Sequence, residues 1–354
     1  MITRRQLLHL GGALAAATAA SPPTARGQAG PRSGMGIGNS SYSLRSLADR
    51  RSGAKEPFTE PLSLLEHCRE IGAGGIQASL RSTDRGYLNQ VRNLAEKYGM
   101  YVEVSVRLPR EQTDLDDFKR AVQAAKNVGA LALRAVTLGG RRYETFDSAE
   151  AFLQFTQQAW KSMTLAEPVV RRQRMKLAIE NHKDWRVEEL VALLKKLSSE
   201  SVGVTLDTGN NVALLDDPTK TAEALAPYAY SVHIKDMGVE AYEHGFLLSE
   251  VPFGDGFLDL KKIVETVRRS QPNTRFTLEM ITRDPLEIPV FTEKYWTTFA
   301  TLPGRDLAMM LTTVKNKASK PLPRVSHLSP EEQLRVEEEN VRKCVAYAAE
   351  VLGI

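Results

Sequence analysis

Four short apolar runs each end in side chains able to hold a cation or move a proton. KLAIENH (176–182) ends in Glu180 and His182, and VGVTLDTG (202–209) carries Asp207, with Asn210 next. YSVHIKD (230–236) carries His233 and Lys235, and FTLEMIT (276–282) carries Glu279. On a strand, residues two apart face the same way, so Glu180 pairs with His182 and His233 with Lys235. Taken singly, each has an ordinary explanation. Asp207 suits a helix cap, His233 a satisfied buried histidine, and Lys235 a salt bridge with Asp236. Taken together, Glu180, Asp207, His233 and Glu279 form three carboxylates and an imidazole at the same relative depth on four runs. Such groups cannot crowd together without a compensating positive charge. One divalent ion supplies it, and carboxylate-rich ligation with one imidazole suits Mn, Mg, Co or Zn.

The elements that must position these residues alternate regularly. Eight apolar strands are expected at 35–43, 75–80, 100–106, 131–138, 176–182, 202–209, 230–236 and 276–282, each rich in Val, Ile or Leu as strands buried on both faces are. Between them lie amphipathic segments with helical period. PLSLLEHCREIG places Leu62, Leu65 and Cys68 on one stripe and stops at Gly72, and YLNQVRNLAEKYG does the same before Gly99. The last helix opens SPEEQ, with Ser329 as cap and Pro330 in the first turn. Eight strand–helix pairs predict an α/β fold, a (β/α)8 TIM barrel, with a doubly wound sheet as the alternative. In a barrel the strand ends converge on one mouth, where catalytic groups gather. Residues 283–328 break the repeat and are expected to form a lid or binding loop over that mouth.

The bulk numbers narrow the function. The chain has 354 residues, 42% of them hydrophobic, and a formal charge of +4. Residues 1–29 hold Arg4, Arg5 and Arg26 and no acid, which leaves 44 Lys and Arg against 43 Asp and Glu beyond them. That balance gives no electrostatic case for nucleic acid or an anionic membrane. The start, TRRQLL followed by a short apolar stretch from Leu7 to Ala20 and then small residues, has the order of a twin-arginine export signal and is too short for a stable membrane span. The expected organisation is therefore a signal over 1–29, read by the twin-arginine export machinery, and a barrel over 30–354, located in the periplasm or cell envelope. Cys68 and Cys344 allow no CxxC motif; two buried free thiols are expected, with a disulfide between them as the alternative, since a barrel makes their helices neighbours.

The motifs IENH, LDTGN, VHIKD, FGDG (253–256) and LE stand in the order and spacing of the xylose-isomerase-like TIM-barrel family, the sugar phosphate isomerase/epimerase group, which the second half of the chain resembles. The resemblance implies one divalent metal on Glu180, Asp207, His233 and Glu279 and proton transfer beside the carbonyl of a small sugar, through an enediolate. It casts Glu180 and Glu279 as the proton-handling pair, and His182, Asn210 and Lys235 as substrate contacts. The first strands depart from the family by offering Tyr42, Arg45, Arg107 and Arg134, and Arg283 and Trp296 stand where a ligand would be covered. The expected activity is a metal-dependent isomerase or epimerase acting on a small carbohydrate. Two alternatives stay open: a dehydratase or lyase acting on a 3-keto sugar or glycoside, and a non-catalytic sugar-binding barrel. Nuclease chemistry needs more histidines than the six present. The sequence leaves a homo-oligomer open.

Overall fold

A computed structural model of the chain describes residues 33–55, 57–299, 301–318 and 321–354. The expected signal over 1–29 lies outside them. The strands, in chain order, are β1 (Gly36–Gly38), β2 (Gly75–Ala78), β3 (Tyr101–Ser105), β4 (Leu133–Ala135), β5 (Leu177–Glu180), β6 (Val202–Asp207), β7 (Ala229–Ile234), β8 (Asp236–Tyr242), β9 (Gly245–Val251), β10 (Phe276–Leu278) and β11 (Leu286–Ile288). Eight of them close into a barrel in the order β1-β10-β7-β6-β5-β4-β3-β2. All its pairings are parallel, and closure is made by Gly36 beside Thr277 and Ile37 beside Leu278. The (β/α)8 expectation holds. Its strands are shorter than the apolar runs that announce them.

The helices form where their caps say they should. Pro61–Ile71 starts on Glu60, whose carboxylate accepts the Leu62 amide at 3.0 Å, and stops at Gly72 with φ +79°. Pro330–Tyr347 starts on a reciprocal pair: Ser329 Oγ accepts the Glu332 amide at 3.3 Å, and Glu332 accepts the Ser329 amide at 2.9 Å. Cys68 and Cys344 lie buried in these two helices, and both thiols are free.

Below the mouth the barrel is plugged by Tyr101. Its ring crosses Gly75, where an added Cβ would stand 2.4 Å from the ring, and its hydroxyl donates to the Phe276 carbonyl at 2.7 Å. Above it sits a polar layer of Gln77, Glu103, Ser231 and Thr277, all buried. The barrel floor is thus hydrogen-bonded as well as packed, which fixes the strand ends above it.

The segment expected as a lid is built into a second layer. β8, β9 and β11 form an antiparallel sheet in the order β11-β9-β8. Met237, Phe246, Ile288, Tyr295, Phe299 and Met310 pack there into an apolar cluster of their own. Arg142 ties this layer to the barrel, donating to the Thr298 carbonyl at 2.6 Å and pairing with Glu189 at 2.7 Å. Trp296 belongs to this packing, its indole donating to the Val290 carbonyl at 2.8 Å.

The FGDG loop wraps Asp236, whose carboxylate accepts the amides of Met237, Gly254, Gly256 and Leu258 between 2.9 and 3.2 Å. A Cβ on Gly256 would stand 2.1 Å from Asp236 Oδ1. Gly256→Ala is therefore expected to destabilise the fold by about 1–3 kcal/mol, read as an earlier midpoint in urea at unchanged slope. An unmoved midpoint would show that the loop has room to spare.

Candidate metal centre and mouth

The four expected ligands meet. Glu180 ends β5, Asp207 ends β6, His233 lies one residue before the end of β7, and Glu279 follows β10. Each offers one ligand atom, and those atoms all lie within 4.8 Å of one another. Donors that share one ion at about 2.0–2.6 Å stand no more than about 5 Å apart, so the spacing fits a single divalent cation. All four residues are at most 5% exposed.

The imidazole is aimed by residues from other strands. His233 Nε2 lies 2.6 Å from Gln77 Oε1, and Gln77 Nε2 donates to Glu103 Oε2 at 2.8 Å. That second bond sets the amide orientation, so the Gln77 oxygen accepts and His233 carries its hydrogen on Nε2. Nδ1 is left with its lone pair toward the carboxylates, 3.5 Å from Glu180, 3.5 Å from Glu279 and 3.8 Å from Asp207. It has no hydrogen-bond partner among the described residues. A buried, pre-oriented lone pair facing three anions is what a metal site presents. Burial disfavours a charged imidazole, yet Glu279 and Glu180 outweigh it and push His233 up to about 10. The cluster demands a positive charge at Nδ1.

The carboxylates are held unequally. Burial would raise Glu180, but Arg134 and His233 pull it well below the usual range. Arg134 Nε donates to its Oε2 at 2.5 Å, and Asn210 Nδ2 to its Oε1 at 3.1 Å. Burial likewise opposes ionised Glu279, and Lys235 and His233 reverse it. Ser40 donates to its Oε1 at 3.0 Å and Lys235 to its Oε2 at 2.5 Å. Burial raises Asp207 to about 6 against the pull of Lys235, whose Nζ stands 2.8 Å from Oδ2 as an ion pair outside hydrogen-bond alignment. Asp207 does cap its turn, accepting the Gly209 and Asn210 amides on Oδ1, while Oδ2 faces the site. Lys235 pairs with Asp207 and Glu279 instead of Asp236.

Above the ligands opens a cavity of about 330 Å³ lined by Arg141, Glu144, His182, Lys183, Glu279, Ile281 and Arg283. Of the four ligands, Glu279 is the one that lines it. A larger groove of about 400 Å³ between Arg186, Asp216 and Met310 lies away from these ligands. His182 Nδ1 stands 3.1 Å from the Leu138 carbonyl, so it carries the hydrogen and Nε2 is free to accept from a hydroxyl; burial lowers the ring to about 4 and keeps it neutral. Asn210 is engaged on both sides, its oxygen receiving Lys183 and Lys235.

Of the arginines and tyrosine expected near the first strands, only Arg134 joins the site. Tyr42 is bonded to His67, Arg45 lies over Phe58, and Arg107 is exposed. Gln77, Lys183 and Glu250 were not singled out by the sequence reading. Gln77 did leave a signal: an amide in a run buried at every position needs partners. Gln77→Leu frees His233 to rotate, so metal affinity is expected to fall about 10–100-fold, measured by competition with a chromophoric chelator. Unchanged affinity would remove Gln77 from the account of the imidazole.

Comparison with known proteins agrees with the barrel. A family model described as Xylose isomerase-like TIM barrel matches residues 65–297. The chain is 26% identical over 254 residues to a 3-oxo-isoapionate decarboxylase of Pectobacterium atrosepticum, covering 69% of this chain and 85% of that one. A D-psicose 3-epimerase solved in the presence of D-fructose superposes with a TM-score of 0.55 at 15% identity, over 85% of this chain and 95% of that one. The IOLI protein with a zinc atom superposes at 0.53 and 15% identity, over 89% and 98%. At these identities the superpositions speak for the fold alone.

Proposed function

The chain belongs to the xylose isomerase-like TIM barrel family, and from that premise we propose that it is a divalent-metal-dependent isomerase or epimerase that moves a proton beside the carbonyl of a small sugar. The observation that carries this reading is the unpartnered Nδ1 of His233, facing three carboxylates beneath a cavity of sugar size. A divalent ion held by Glu180, Asp207, His233 and Glu279 would supply the charge that polarises a substrate carbonyl and acidifies the neighbouring C–H. Glu279 borders the cavity and is the first candidate to take or return the proton. Lys235, 2.5 Å from it, lies outside the cavity lining and acts through Glu279, holding that carboxylate ionised and oriented. His182, neutral and with Nε2 free, accepts from a substrate hydroxyl. Asn210 orients Lys183, Lys235 and Glu180 at once.

A second reading, a lyase or decarboxylase, is favoured by one observation. Epimerisation asks for proton-handling groups on two faces of the substrate, whereas Glu180 is fully buried and held on both oxygens by Arg134 and Asn210. The decarboxylase relative is consistent with it. Metal analysis followed by turnover of ketoses and 3-keto-glycosides in deuterated water separates the two. An isomerase or epimerase places solvent deuterium in a product of unchanged composition, and a lyase releases water, carbon dioxide or a fragment. A protein that retains no metal after dialysis against zinc or manganese would end both.

Arg4 and Arg5 support export through the twin-arginine route to the periplasm or envelope. Changing both to Lys is expected to leave the protein in the cytoplasmic fraction; undisturbed export would refute that location.

A further inference from the structure

The mouth carries a cation that no carboxylate matches. Lys183 is 4% exposed and lines the cavity over Glu279. Its bonded partner is the Asn210 side-chain oxygen, and no carboxylate lies within 4.0 Å of its ammonium among the described residues. The backbone presents it deliberately. Lys183 has φ +63°, a left-handed conformation that a long side chain rarely adopts. The turn is held from both sides: Asp184 Oδ1 accepts the amides of His182 at 3.0 Å and Trp185 at 2.9 Å, and the Lys183 carbonyl accepts the Arg142 amide at 3.0 Å. Burial, and then Lys235, bring the ammonium down to about 8, as befits a cation without its anion.

The surrounding charges point the same way. Four carboxylates face this region, Glu180, Asp207, Glu250 and Glu279, and four cations, Arg134, Lys183, Lys235 and Arg283. Asp184 and Asp236 are turned away, their oxygens spent on Thr137 and backbone amides. Arg283 lines the same cavity and gives Glu250 two bonds, at 2.6 and 3.2 Å. With Arg141 and Glu144 on the cavity wall paired to each other and His233 counted as a neutral ligand, the set is balanced before the metal is added, so under the metal-dependent reading proposed above, on which this step rests, a doubly charged ion leaves the buried mouth net positive. A buried excess of charge is stabilised by a ligand of opposite sign.

We propose that the substrate is an acidic sugar, bearing a carboxylate or a phosphate, and that Lys183, with Arg283 beside it, holds that anionic group. Lys183 is here a specificity-determining contact at the wall of the cavity, separate from the four metal ligands.

The test is calorimetric titration of the full chain with D-arabinonate, D-arabinose 5-phosphate and D-arabinitol, on zinc-loaded and on zinc-stripped protein. At least one acid is expected to bind tenfold or more tightly than arabinitol to the zinc-loaded protein and by a smaller margin to the zinc-stripped protein, and the better of the two identifies the anion. Lys183→Met should remove that advantage, leave arabinitol affinity and zinc content as they are, and so separate this contact from the metal site. Lys183→Arg should restore at least part of the preference, which a merely folding-related defect would not allow. Acids no tighter than arabinitol in the wild type, or a preference that survives in Lys183→Met, would overturn the proposal. A wild type that prefers acids yet binds no zinc would sink the metal reading and leave the anion contact standing.

Discussion

Glu279→Gln is expected to lower kcat by about 10²–10⁴-fold while zinc still binds, because the amide can ligate through its oxygen but cannot accept or return a proton at the pH of the reaction. Glu279 is 5% exposed and borders the cavity, and Lys235 and Ser40 keep it oriented there. Glu180→Gln should behave differently. Glu180 is fully buried, its Oε2 is gripped by Arg134, and it lies outside the lining of the cavity. Its substitution leaves Arg134 facing an uncharged amide beside the metal position, so metal affinity should fall first and turnover should recover partly at high zinc. The discriminating measurement is kcat at saturating zinc for both variants, alongside zinc stoichiometry. Two equal losses of kcat at full occupancy would restore the symmetrical acid–base pair that the sequence suggested. No loss in Glu279→Gln would remove Glu279 as the proton carrier.

This asymmetry marks where sequence reasoning reaches its end. The barrel was legible because strands buried on both faces leave continuous apolar runs, and a strand's C-terminal end is the point where such a run meets water or a ligand. Glu180, Asp207, His233 and Glu279 stand at four of those points, so their convergence followed from the fold. What each carboxylate does was not legible, because it depends on neighbours from distant strands. Arg134 reaches Glu180 from β4, and Gln77 reaches His233 from β2. β9 was missed for a related reason. GFLLSEV has its strand partners in β8 and β11, and β11 lies in the segment expected to be a lid or binding loop. β8 and β9 form a hairpin joined at Glu243 and His244, but the other edge of β9 is completed by β11 some forty residues on, which period and composition, reporting local preference, do not show. Glu250, which β9 carries to Arg283, was hidden with it.

Lys235→Met is expected to destabilise the zinc-stripped protein by about 3–5 kcal/mol, and zinc is expected to restore most of that loss. Lys235 is 1% exposed, and its ammonium stands 2.5 Å from Glu279 Oε2 and 2.8 Å from Asp207 Oδ2. Burial opposes its charge, but Asp207, Glu279 and Glu250 hold it protonated well above the ordinary lysine range. Removing it leaves two buried carboxylates without their nearest cation, a larger penalty than the lost packing of a side chain that Met nearly fills. An ion bound by Asp207 and Glu279 supplies the missing charge from the other side, so the variant should gain more stability from zinc than the wild type does. The comparison is four denaturation midpoints, wild type and variant, each with chelator and with zinc. Equal zinc gains in the two proteins would mean that ammonium and ion act on different charges, and the single shared centre would have to be given up.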